Sequence, residues 1–184
     1  MANYYLDIET TGLDPQKDKV ITIQFQELDR SSGEPIGKLV ILKEWESNEK
    51  KILEQFIDEC HLKDPYPFTF VPIGNNFNFK HNFLLEKTKH YGLPPIDILS
   101  RPFIDLRSFT IIMNKGEFKG SGLDKITGKN LDGNKVPHWY YHQEFDTIEI
   151  YIKDKTHEFV KLTTWLYREM PKFLERFQIE NRVR

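Results

Sequence analysis

Two carboxylates, Asp7 and Glu9, lie within Tyr4-Tyr5-Leu6-Asp7-Ile8-Glu9-Thr10-Thr11-Gly12-Leu13, an apolar run that ends at a glycine. The run reads as a β-strand entering a turn. Alternation of side chains puts Asp7 and Glu9 on one face and Leu6 and Ile8 on the other. Two like charges side by side repel each other and are costly to take out of water. A bridging divalent cation would reverse that cost, and so would nearby lysines. A third reading leaves the pair on the wet face of an edge strand.

The elements that must position this pair follow in order. Val20 to Leu28 alternates Val20, Thr22, Gln24 and Gln26 against Ile21, Ile23 and Phe25, and Leu39 to Leu42 is a short β-type run. Residues 3 to 43 therefore read as three strands joined by hairpins. Ser47 offers an N-cap to a helix carrying Ile52, Leu53, Phe56, Ile57 and Cys60 at helical spacing. Phe68 to Ile73 is a fourth strand, in which Pro72 argues for an edge or strand-end position. A second helix carries Phe79, Phe83, Leu84 and Tyr91 and stops at Gly92 and Pro94. Leu106 to Met113 reads as helical. Asn114 to Pro137 reads as a basic, glycine-rich loop containing a short helix capped by Ser121. Phe145 to Leu174 carries Ile148, Ile152, Phe159, Leu162, Leu166 and Met170 at three- and four-residue steps, one long amphipathic helix or two in tandem. A crossover from the hairpin strands through a helix to a strand parallel to the first gives an α/β class: a ribonuclease H-like mixed β-sheet flanked by helices, three antiparallel strands first, then parallel crossovers.

Composition narrows the function classes. A chain of 184 residues with 39% hydrophobic content suits one core, so residues 1–184 are expected to form a single domain. With 29% charged residues and a net charge of -2, neither disorder nor a globally basic surface is indicated, and any polyanion site must be local. No apolar run approaches the roughly 20 residues needed to span a bilayer, so a soluble, cytoplasmic protein is expected. The single cysteine, Cys60, excludes an intrachain disulfide and a cysteine-rich zinc site. His81, His90, His138, His142 and His157 form no ligand spacing. Phe77, Trp139, Tyr140 and Tyr141 are candidates for stacking on bases or for packing in the interior.

At these residues the chain resembles the DnaQ-like (DEDD) 3′–5′ exonucleases. Leu6-Asp7-Ile8-Glu9-Thr10-Thr11-Gly12-Leu13 is similar to their first motif. Gly74-Asn75-Asn76-Phe77-Asn78-Phe79-Lys80-His81-Asn82-Phe83-Leu84 resembles the second, and Tyr151-Ile152-Lys153-Asp154-Lys155 followed by Leu162 resembles the third. Ile104-Asp105-Leu106 and Ser121-Gly122-Leu123-Asp124 resemble connecting signatures of the same fold. The resemblance implies hydrolysis of single-stranded DNA or RNA 3′ ends by two divalent ions, Mg²⁺ or Mn²⁺, held by four carboxylates. It implies that Asp7 and Glu9 are metal ligands and that Tyr151 lies near the scissile phosphate. Thr10, Thr11, Gly12, Leu13, Asn76, Phe77, Lys80 and Lys155 would then line the nucleic-acid path.

Two positions depart from the pattern. Lys80 stands where the family has its third acid and Lys155 where it has its fourth. Asp154 precedes Lys155 by one residue, so a small helical irregularity would bring it to the site as a third ligand and catalytic group. Two readings follow: a metal-dependent exonuclease, or a catalytically inactive relative used for nucleic-acid or protein binding, without a cofactor, in which the lysines are salt-bridged to Asp7 and Glu9.

Overall fold

A computed structural model of the protein describes residues 2–129 and 131–182. Strand β1 (Asn3–Thr10) pairs antiparallel with β2 (Val20–Leu28), which pairs antiparallel with β3 (Val40–Lys43). The chain then crosses over through α1 (Glu49–Glu59) to β4 (Val71–Gly74), parallel to β1. A second crossover, through α2 (Phe77–His90), leads to β5 (Ile104–Asp105), parallel to β4. Strand order is β3-β2-β1-β4-β5, so the strand carrying Asp7 and Glu9 is central. The expected mixed sheet is present.

Helices α3 (Leu106–Met113), α4 (Leu123–Thr127), α5 (Val136–Tyr141) and α6 (Phe145–Arg182) follow. Alternation along β1 divides the core in two. Leu6 and Ile8 pack with Ile23, Phe25 and the α1 and α2 residues Ile52, Phe56, Phe83 and Leu84. On the other face Tyr5 packs with Ile73, Leu106, Leu123 and the α6 residues Phe159, Leu162 and Leu166. Asp7 and Glu9 share the Tyr5 face, which is why α6 and not α1 supplies their nearest helical neighbour. Among the described residues, no helix is long and apolar enough to cross a membrane.

Three local expectations are corrected, and one left open between two alternatives is decided. The first helix is capped by Asn48, whose side chain accepts from the Lys51 N–H at 2.9 Å; Ser47 instead closes the 3₁₀ turn Glu44–Glu46. Pro72 lies in an interior strand, tolerated because the β4–β5 ladder begins only at Ile73, so no neighbour needs its missing N–H. Ser121 does not cap α4, which starts after Gly122; its hydroxyl donates to the Phe118 carbonyl, and its own carbonyl accepts from the Thr110 hydroxyl. The C-terminal segment is one helix, with Pro171 inside it.

Candidate functional site

Asp7 and Glu9 are both 7% exposed, at the floor of a cleft of about 310 Å³. The floor is built by β1 and β2: Asp7 lies opposite Gln24 and Glu9 opposite Thr22 in the antiparallel ladder. Gln24 accepts from the Thr22 hydroxyl at 2.9 Å and donates its amide to Glu9 Oε1 at 3.5 Å.

The cations come from two helices on opposite sides. Lys80, in the first turns of α2, puts its Nζ 3.0 Å from Asp7 Oδ1 and also donates to the Asn75 carbonyl. Lys155 of α6 reaches down with Nζ 2.7 Å from Asp7 Oδ2 and 2.8 Å from Glu9 Oε1. Lys80 is 4% exposed, so neither it nor the carboxylates belong to a solvated surface network. Burial alone would raise the Asp7 carboxyl, but Lys155 and Lys80 outweigh it and hold the group at about 2. Glu9 has one ammonium rather than two and feels Asp7 beside it; burial dominates and raises its pKa, with Lys155 opposing. Burial pushes Lys155 down, yet Asp7 and Glu9 prevail and hold its ammonium well above the ordinary lysine value. The cluster sets two lysine side chains against two carboxyl side chains.

Positioning of Lys80 depends on Asp105, a residue absent from the expected site. Its carboxylate accepts from the Asn76 and Phe77 N–H groups at 2.9 Å each, at the start of α2, and from the Arg107 N–H at 2.9 Å, at the start of α3. One side chain thereby ties two helix N-termini to the end of the sheet. Gly74 allows the same junction to close: a Cβ there would lie 2.8 Å from the Leu6 carbonyl oxygen and 2.8 Å from the Phe77 ring.

Of the residues expected to line a nucleic-acid path, Thr10, Gly12, Leu13, Asn76, Lys80 and Lys155 do border the cleft. Thr11 is turned away and accepts from the Lys19 N–H at 2.9 Å. Phe77 is fully buried, edge-on to Phe103 with ring centroids 5.7 Å apart, and cannot stack on a base. Tyr151 is 8% exposed and packs against Trp139, with the Lys155 ammonium 5.5 Å from its ring; it supports the lysine from behind rather than facing the cleft. Tyr140 donates to Glu44 at 2.6 Å. The sequence reading missed Arg107, Asn75, Phe79 and Asn134, all of which border the cleft. Among the described residues no carboxylate pairs with the Arg107 side chain; Asp105 holds its backbone N–H only.

Asp154 does not join Asp7 and Glu9. It is exposed and borders a separate depression with Lys129, His157 and Lys161. Helix α6 runs without irregularity through this stretch, so the residue before Lys155 points about 100° away from it. Among the described residues, no group of three or more His, Cys, Asp or Glu side chains is placed to hold a metal ion. The donor set therefore does not fit two divalent ions: three of the carboxylate contacts such ions would need are made by ammonium nitrogens, which cannot share the space with a cation.

A family model described as RNase H superfamily matches residues 4–167. The chain belongs to the RNase H superfamily. Among solved structures, the zinc-bound form of the E. coli exonuclease I–ssDNA complex is similar with a TM-score of 0.60 and 12% identity, covering 95% of this chain and 42% of that one. An SSB/exonuclease I structure with the inhibitor CFAM matches at 0.50 and 14% identity, covering 70% and 36%. Apo exonuclease I matches at 0.50 and 14%, covering 70% and 37%. At these identities the likeness is one of fold, and this RNase H-like chain spans about two-fifths of the length of those structures. No curated protein matches its sequence.

Proposed function

We propose that this RNase H-superfamily chain holds the 3′ end of a single-stranded nucleic acid in its cleft without hydrolysing it. The observation that carries the reading is Lys155, whose Nζ lies 2.7 Å from Asp7 and 2.8 Å from Glu9, in the place a catalytic ion needs. In-line hydrolysis requires a bound water made acidic enough to attack at neutral pH. An ammonium group offers charge but no vacant coordination position, and with a raised pKa it is no general base either.

Binding is supported by what borders the carboxylates. The charges of Asp7, Glu9, Lys80 and Lys155 cancel, leaving Arg107 as surplus positive charge suited to a phosphate. Asn75, Asn76 and Asn134 add amide donors and acceptors, and Leu13, 82% exposed at the rim, offers an apolar surface to a terminal base. A related fold has been solved with ssDNA in the E. coli exonuclease I complex.

The test is anisotropy of a labelled single strand, followed by length analysis of the same sample with Mg²⁺ or Mn²⁺. The expected result is salt-sensitive binding, weakened by Arg107→Ala, with the strand left intact. Shortening that disappears in Asp7→Ala would establish hydrolysis instead, and absence of binding at low salt would remove the nucleic-acid role.

A further inference from the structure

Helix α5 and the turn that ends it carry His138 and His142, one helical turn apart. Read along the sequence the histidines gave no ligand set, but the helix brings these two ring to ring, with centroids 4.0 Å apart and planes at 37°. Both are exposed, and neither borders the cleft. The inner side of the same helix is anchored: Trp139 packs against Tyr151, and Tyr140 donates to Glu44 at 2.6 Å. Its end is closed as well. Gln143 turns with a φ of 59°, its N–H donates to the Tyr140 carbonyl at 3.1 Å, and the Glu144 N–H donates to the Trp139 carbonyl at 2.8 Å. The backbone under the two rings is thus fixed before anything binds.

One contact decides how His142 presents itself. Its Nδ1 lies 2.8 Å from the His138 carbonyl oxygen. A carbonyl only accepts, so Nδ1 carries the hydrogen and the neutral ring leaves Nε2 with a free lone pair. Metal-ligating histidines are oriented in this way, one ring nitrogen donating to a carbonyl or carboxylate and the other on the ion. We propose that His138 and His142 chelate a late first-row divalent ion, Zn²⁺ or Cu²⁺, on the outer side of α5, independently of what the cleft binds. Two nitrogens about 2.0–2.1 Å from a tetrahedral zinc are about 3.3 Å apart, which rings with centroids at 4.0 Å reach by small side-chain rotations. Among the described residues no third His, Cys, Asp or Glu is placed to join them, so water fills the remaining positions. Imidazole nitrogen selects the class of ion: affinity is least for Mn²⁺ and rises along the series to Cu²⁺, while Mg²⁺ prefers oxygen.

Calorimetric titration of the full chain with Zn²⁺ tests this. The expected result is one ion per chain, held more weakly by about tenfold or more in His138→Ala and in His142→Ala. His90→Ala and His157→Ala, which remove exposed rings elsewhere, should leave the affinity unchanged. A second measurement needs no variant: substoichiometric Cu²⁺, which is paramagnetic, should broaden the imidazole NMR signals of His138 and His142 before those of any other histidine. Absence of Zn²⁺ and Cu²⁺ binding, an affinity carried by one of the two rings alone, or broadening that begins at another histidine or in the cleft would overturn the proposal.

Discussion

Replacing Lys155 by Met keeps the stem that packs beside Tyr151 and removes only the ammonium. Asp7 retains Lys80 at 3.0 Å, whereas Glu9 loses its one ionic partner among the described residues and keeps the Gln24 amide at 3.5 Å. The cost therefore falls on Glu9, a carboxylate 7% exposed, and breaking a buried pair from one side costs about 3–5 kcal/mol. An upper limit comes from protonation: Glu9 can escape by binding a proton, which at pH 7 costs about 3.4 kcal/mol for a group whose ordinary value is 4.5. The variant should thus be about 3 kcal/mol less stable than the wild type at pH 7. The pKa of Glu9 is raised in the folded variant, so the penalty is present above that folded value and fades as pH falls through it toward 4.5. The fading amounts to at most about 1.4 kcal/mol per pH unit. Urea unfolding at intervals from pH 7 to pH 4.5 measures this directly. Lys155→Met/Glu9→Gln should recover most of the loss at pH 7. A deficit below about 1 kcal/mol, the range of a surface pair, or one that does not change with pH, would refute the assignment of Lys155 as the counter-charge.

Asp7, held at about 2 against an ordinary 3.8, contributes stability that is complete above 3.8 and lost as pH falls through about 2; carboxyl-carbon NMR titration should place its midpoint below that of Glu9, whose shift is upward. Asp105→Ala removes three backbone caps at 2.9 Å and should cost about 2–3 kcal/mol in urea unfolding, with weakened strand binding because Lys80 and Arg107 both lose their footing. Gly74→Ala forces a methyl against the Leu6 carbonyl and the Phe77 ring and should cost about 1–3 kcal/mol, read as a lowered melting temperature.

The sheet was legible because its signals are local. Strict alternation in β1 and β2 fixes which residues share a face, and the same alternation already placed Asp7 and Glu9 together. Sequence order carried the crossovers. β5 was not legible as a strand: at two residues, Ile104–Asp105, it has no period to read, and it exists because β4 offers an open edge. Lys155 was placed by the inward stripe of α6, since Ile148, Ile152, Phe159 and Leu162 point its stem to the core. Lys80 had no such stripe; Asp105 sets its direction through backbone contacts that leave no mark on spacing. Gln24 could have been found, because it lies on the polar face of β2 and must meet a neighbour on the same side of β1. Phe77 misled because its aromatic ring suits bases as well as a core, and only the closeness of Gly74 decides between them.

Mn²⁺ titration, followed by calorimetry on the wild type and on Lys80→Asp/Lys155→Asp, most directly asks whether lysines have replaced metal at Asp7 and Glu9. The account predicts no binding heat for the wild type and two-site binding for the double variant, whose four carboxylates would complete the ligand set that the resemblance to DnaQ-like exonucleases implies. Tight Mn²⁺ binding by the unmodified protein, abolished by Asp7→Ala, would contradict it.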